Sequence, residues 1–207
     1  FKSSTFCFPT AEDGEKSFMM IQGKLDTNED PSLIYSRMNN PNMEITEEKI
    51  ALFDDAEKSL LFSSGMAAIS NCCLTFLKPG DTILYSNPVY GGTDSFFRNV
   101  LTKFNIHSVS FPSGISDISI LAELILSHKD VKMIFIETPC NPHMILTSIS
   151  MINHLRSCIN KDILIVVDNT MAGPKFLKPL KLGADLCLYS VTKFIGGHSD
   201  VVAGCVS

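Results

Sequence analysis

Two stretches of the chain, Met133-Ile134-Phe135-Ile136 and Ile163-Leu164-Ile165-Val166-Val167, are apolar at every position rather than at every second one. A strand with one wet face alternates. An unbroken run of this length, bounded by turn residues, marks a strand buried on both faces, as in a parallel sheet covered by helices on each side. Runs at 82–85, 106–111 and 186–189 also read as strands, and the segments 92–104, 117–127 and 148–159 between them carry helical spacing. Upstream, Thr46 can cap a helix marked by Ile50, Leu52, Phe53, Ala56 and Leu60, and Ser63-Ser64-Gly65 opens another over 66–77, which Lys78-Pro79-Gly80 ends. This repeated β-α order predicts an α/β fold in which ligands collect beyond the carboxyl ends of the strands. The first forty-odd residues show neither period and are rich in Ser, Asn, Pro and Glu, so 1–45 reads as an extended arm ahead of an α/β domain over 46–207.

Composition acts mainly by exclusion. The 207 residues are 45% hydrophobic and 19% charged with a net charge of −5, and no block of like charges occurs. Disorder and coiled coil are ruled out, and a nucleic-acid partner would lack its electrostatic footprint. No apolar run reaches the ~18 residues needed to cross a bilayer, so no membrane association is expected. The 7 cysteines are odd in number and scattered, which fits a reducing, cytoplasmic setting better than a disulfide framework. The 5 histidines show no ligand spacing with Cys or carboxylates, so no metal site is expected. The chain stops at Ser207 just after the apolar run 201–206, and we therefore expect a piece of a longer protein.

Four polar stations follow strand ends: Ser86-Asn87-Pro88-Val89-Tyr90, Glu137-Thr138-Pro139-Cys140-Asn141-Pro142, Asp168-Asn169-Thr170 and Ser190-Val191-Thr192-Lys193. Asp168 follows five apolar strand residues, so its carboxylate lies at the rim of a buried sheet. It either needs a cationic partner or caps the Asp-Asn-Thr turn. Lys193, among Ser190, Thr192 and apolar neighbours, is an amine nucleophile for Schiff-base chemistry if held in a partly dry pocket, and a surface lysine otherwise. Ser63-Ser64-Gly65-Met66 puts small residues at a helix mouth, where free N–H groups and the dipole suit a phosphate, although a serine cap alone explains the same residues. The absence of G-x-x-x-x-G-K-[ST] and G-x-G-x-x-G disfavours a nucleotide but not a smaller phosphate. Tyr90 can stack on a ring or shuttle a proton, or is an ordinary turn tyrosine. A phosphate cradle, a stacking aromatic, a carboxylate and a lysine are together the parts of a pyridoxal 5′-phosphate site.

The stretch 185–204, Asp-Leu-Cys-Leu-Tyr-Ser-Val-Thr-Lys-Phe-Ile-Gly-Gly-His-Ser-Asp-Val-Val-Ala-Gly, resembles the signature around the cofactor lysine of the Cys/Met-metabolism family of pyridoxal-phosphate enzymes. That family includes cystathionine γ-synthase, cystathionine lyases, methionine γ-lyase and homoserine-ester sulfhydrylases, and the resemblance runs from about Ser3 to the last residue. It implies the large domain of the PLP-dependent transferase fold (aspartate-aminotransferase-like, fold type I), with a mainly parallel seven-stranded sheet between helices and without the C-terminal small domain that carries the arginine for the substrate carboxylate. It also implies that Lys193 holds the cofactor covalently and moves protons, that Asp168 keeps the pyridine nitrogen protonated, and that Tyr90 stacks on the ring and assists the leaving group. Gly65 and Met66 would offer amides to the phosphate and Ser190 and Thr192 hydroxyls. Asn141 would bond near the phenolic oxygen, with Glu137 as support.

By the same resemblance Tyr35 and Arg37, in Tyr35-Ser36-Arg37, enter the site of a neighbouring subunit, making a homo-oligomer, dimer or tetramer, the functional unit. An Arg beside a Tyr on a non-periodic segment independently asks for a partner outside its own core. The chain departs from methionine γ-lyases in carrying Gly92 where those usually have a cysteine. The implied activity is γ-elimination or γ-replacement on a small amino-acid substrate, a sulfur amino acid or acyl-homoserine, as in transsulfuration and methionine or cysteine metabolism. The competing expectation is a truncated chain that binds cofactor but is catalytically incomplete.

Overall fold

The computed structural model describes residues 1–27, 29–128 and 130–207, so that Asn28 (inside the segment read as an arm) and Lys129 lie outside the described residues. The chain divides into two compact units, Phe1–Lys49 and Ile50–Ser207. The first is not a wholly extended arm, for it contains helix α1 (Ala11–Ile21). The Thr10 side-chain oxygen accepts the Asp13 N–H at 3.1 Å while its hydroxyl donates to the Asp13 carboxylate at 2.8 Å, a reciprocal cap that starts the helix. Its buried positions are Gly14 and Ser17, with Phe18, Met19 and Ile21 exposed, so apolar periodicity does not mark its inner face. Helix α2 (Pro41–Asp54) starts earlier than Thr46, because the Asn40 side chain accepts the Asn42 N–H at 2.9 Å and Pro41 takes the first position, where its missing N–H costs nothing. It ends at Asp54 as Asp55 turns left-handed at φ 58°, and Leu60, expected to be helical, instead opens strand β1 (Leu60–Phe62).

The second unit carries a seven-stranded sheet of order β1-β7-β6-β5-β4-β2-β3. Its members after β1 are β2 (Thr82–Asn87), β3 (His107–Pro112), β4 (Val131–Glu137), β5 (Leu164–Asp168), β6 (Leu186–Tyr189) and β7 (Gly204–Val206). All ladders from β3 to β6 are parallel, while β7 runs antiparallel to both β6 and β1. Strands β1 and β7 escaped detection because three residues are too few to display a period.

The unbroken apolar run of β4 serves two cores. Met133 and Phe135 point into a cluster with Ala68, Ile69 and Cys73 of α3 (Gly65–Phe76) and Phe97 of α4 (Gly91–Asn99), whereas Ile134 and Ile136 join Leu121 of α5 (Ser119–Ser127) and Ile152 of α6 (Ile149–Ile159). Alternating side chains therefore meet helices on both faces. The segment 92–104 is not one helix: α4 stops at Asn99, and a 3-10 turn, Leu101–Phe104, closes on Asn105 at φ 56°. Arg156 of α6 pairs with Asp185 and donates to the carbonyls of Ile163 and Gly183, tying the start of β5 to the approach to β6. No helix among the described residues is long and apolar enough to cross a membrane.

Phe135 is fully buried and meets Phe97 edge-on, with ring centroids 5.1 Å apart. Phe135→Ala should lower the unfolding free energy by about 3–5 kcal/mol in urea titration, and a loss below about 1 kcal/mol would contradict this packing.

Candidate active site

Four parallel strands finish at one rim, where Asn87, Glu137, Asp168 and Tyr189 are the last residues of β2, β4, β5 and β6. Beyond them lies a cleft of about 250 Å³. Its lining includes Gly65, Met66, Tyr90, Asn141, Asp168, Ser190, Thr192 and Lys193, bringing together every site residue expected in the second unit. Tyr35 and Arg37 belong to the first unit, where the Arg37 guanidinium stands 5.3 Å over the Tyr35 ring. No carboxylate pairs with Arg37 among the described residues.

At one end of the cleft, Ser64 caps α3, its side chain accepting the Ala67 N–H at 3.0 Å. The N–H groups of Gly65 and Met66, first in the helix, have no intrahelical acceptor and sit at the positive end of its dipole. Gly65 packs closely on Ser190: a Cβ there would come within 2.8 Å of the Ser190 Cβ. Only glycine lets the helix mouth and the serine share this corner. The Thr192 hydroxyl donates to the Ala203 carbonyl at 3.2 Å and accepts the Ala203 N–H at 3.0 Å, bracing the turn that carries Lys193. Lys193 itself is exposed rather than partly dry, because it stands on an open turn whose neighbour Phe194 is 66% exposed.

At the strand ends, Asp168 is buried, and Glu137 is its register partner on the neighbouring strand. Asp168 Oδ1 accepts both the N–H of Thr170 at 3.0 Å and its hydroxyl at 2.6 Å, so the expected turn cap is present. No cation pairs with either carboxylate among the described residues. Burial pushes the Asp168 carboxyl up, with the Thr170 bonds opposing. Burial, and then repulsion from Asp168, raises Glu137 to about 7, against two bonds from the N–H groups of Tyr90 and Asn141.

Thr170 was not singled out from sequence as a site residue. Its hydroxyl also accepts the Ser190 N–H at 2.8 Å, linking Asp168 to the β6 rim. Met171 and Val202 line the cleft as well, and nothing in their local sequence marks them. Tyr90 is half exposed and its ring lies over Gly92, where a Cβ would come within 2.5 Å of ring carbon Cε1.

The donor set suits a small, planar, phosphorylated cation. A helix mouth beside a serine suits a phosphate, and a buried carboxylate without a cation suits a protonated ring nitrogen. This sheet, with its single reversed strand and its rim cleft, defines the large domain of the PLP-dependent transferase fold, as the solved relative below confirms. The chain belongs to the Cys/Met metabolism PLP-dependent enzyme family, whose model matches residues 1–207. It is 38% identical over 207 residues to an L-methionine gamma-lyase of Fusobacterium nucleatum subsp. polymorphum, covering 100% of this chain and 49% of that protein. It is 42% identical over 175 residues to the human cystathionine gamma-lyase, covering 84% of this chain and 41% of the relative. The crystal structure of cystathionine gamma synthase from Xanthomonas oryzae pv. oryzae, in complex with aminoacrylate and cysteine, superposes with a TM-score of 0.83 at 31% identity, over 100% of this chain and 48% of that one. The chain thus spans about half the length of the relatives it matches.

A carboxyl raised in the folded state is protonated there at pH values where the unfolded chain has already lost the proton, so its contribution to stability is fully present below the ordinary carboxylate range and is lost as pH rises through the folded value. With Glu137 at about 7 against 4.5, the cofactor-free protein should lose about 3 kcal/mol from this group between pH 4.5 and pH 8. Urea unfolding across that range should show a decline that Glu137→Gln flattens. Equal slopes in the two proteins would contradict it.

Proposed function

We propose that this chain forms the cofactor-binding part of a pyridoxal-phosphate-dependent enzyme that eliminates or replaces the substituent at the γ or β carbon of sulfur-containing or homoserine-derived amino acids. The observation that carries the reading is a buried carboxylate, Asp168, which has no cation partner among the described residues and lines one cleft with Lys193 and the α3 N-terminus. The substrate class is supported by the relatives, a methionine lyase, a cystathionine lyase and a cystathionine synthase. Their shared chemistry leaves lyase and synthase as two outcomes of one mechanism, decided by whether water or a thiol completes it.

Pyridoxal phosphate, when bound, supplies an electron sink for the pair released at the substrate Cα. The protein does the rest by binding, orienting and moving protons. Lys193 Nζ anchors the cofactor and then takes and returns protons at substrate Cα and Cβ. Asp168 keeps a proton on the ring nitrogen, and the Thr170 bonds hold its carboxylate in place. The amides of Gly65 and Met66 and the Ser190 hydroxyl grip the phosphate, while Thr192 can add its hydroxyl only by giving up the Ala203 carbonyl. Tyr90 stacks on the ring and hands a proton to the departing sulfur or ester oxygen. Asn141 hydrogen-bonds near the phenolic oxygen.

We also propose that the functional unit is a homo-oligomer, a dimer or tetramer, in which Tyr35 and Arg37 of one subunit bind the cofactor phosphate of another. Support comes from a guanidinium that rests on an aromatic ring and pairs with no carboxylate among the described residues.

The purified protein should be yellow, and borohydride should bleach it and fix the cofactor on Lys193, read by peptide mass spectrometry. A colourless protein refutes the reading. Colour without ammonia or ketoacid from cystathionine, methionine, cysteine or an acyl-homoserine would instead favour cofactor binding without turnover by this length of chain. Arg37→Ala should weaken cofactor binding about tenfold or more in an absorbance titration, since one charge-assisted phosphate bond is lost; unchanged affinity would exclude the exchange of arms.

A further inference from the structure

Glu137 is 3% exposed at the end of β4, beside Asp168, with no cation in ion-pair range among the described residues. For stability alone this is a poor choice, since a buried carboxylate next to another is costly and a neutral side chain of equal size is cheaper. What the carboxylate gains is two backbone donors on different loops. Oε2 accepts the Tyr90 N–H at 2.6 Å, and Oε1 accepts the Asn141 N–H at 2.7 Å. Tyr90 follows β2 and Asn141 follows β4, so a single side chain spans both loops. The Glu137 N–H in turn donates to Ser86 Oγ on β2 at 3.1 Å, which pins the base of the arrangement. Tyr90 precedes α4 without making a side-chain cap; its carbonyl accepts the Thr93 and Asp94 N–H groups of the first turn, while its own N–H is held by Glu137.

We infer that Glu137 is a positioning residue, whose carboxylate staples the Tyr90 loop to the Asn141 loop and thereby sets where those two side chains stand over the cleft. The consequence for cofactor binding rests on the function proposed above; the staple itself does not. Its chemistry is selective for a carboxylate. Both partners are N–H donors, so both oxygens must accept, and glutamine of the same shape offers one accepting oxygen and turns an NH2 group toward the other donor. Aspartate keeps both acceptors but is one methylene short.

The parent protein gives the first test. By amide hydrogen exchange at pH 8 in the cofactor-free chain, where Glu137 is mostly ionised, the Tyr90 and Asn141 N–H groups, although on loops, should exchange at least tenfold more slowly than that of Gly91, which starts a helix and has no intrahelical acceptor. In Glu137→Gln one of the two should lose that protection, and in Glu137→Ala both should. Fast exchange at both sites in the parent, or unchanged protection in both variants, overturns the staple. In the protein loaded with pyridoxal phosphate, Glu137→Gln should still become fixed on Lys193 by borohydride, yet bind the cofactor about tenfold more weakly and show an altered visible circular dichroism band. A variant with the parent's affinity and band overturns the positioning role. A parent that takes up no cofactor defeats the proposed function instead, and the exchange data then decide the staple alone.

Discussion

Burying β4 and β5 on both faces leaves the carboxyl ends of these central strands as the place where polar side chains can meet a ligand. Apart from the exposed Lys132 near the start of β4, the remaining positions along them are committed to one of two cores. Because β4 and β5 are parallel and in register, their last residues, Glu137 and Asp168, are brought side by side at that rim. Two carboxylates placed there repel and resist ionisation, so both need compensation from outside the sheet. Thr170 supplies it for one oxygen of Asp168, and the Tyr90 and Asn141 amides supply it for Glu137.

The cleft then divides by charge. Its helix mouth offers N–H donors and a hydroxyl; its strand ends offer carboxylates that pair with no cation among the described residues. A molecule that carries both a phosphate and a protonated ring nitrogen satisfies both, and the family's cofactor is such a molecule. Gly65 makes the corner possible by letting α3 approach Ser190, and Gly92 leaves room for the Tyr90 ring.

Much of this was legible from residue order alone. The apolar runs of β4 and β5, the serine cap of α3 and the four stations after strand ends all follow from short-range rules of period, capping and turn chemistry. The elements that were missed or misplaced depend on partners distant in sequence. Strands β1 and β7 are three residues each and exist through antiparallel pairing with one another and with β6. Helix α1 is set by the Thr10 cap while Phe18, Met19 and Ile21 stay exposed and Met20 is only half-buried, so no buried stripe announces it.

The residue types at the site, the lysine after a strand end, the aspartate at a buried rim and the glycine at a helix mouth, were determined by the sequence by itself, together with the resemblance they carry. Only the tertiary structure decided how they act on one another. That Glu137 opposes Asp168, that one carboxylate reaches two loops whose residues are 47 and 4 positions away from it, and that Thr170 joins Asp168 to Ser190 are matters of strand register. Register is a property of the assembled sheet, because the order in which strands pair brings together residues that no local pattern relates.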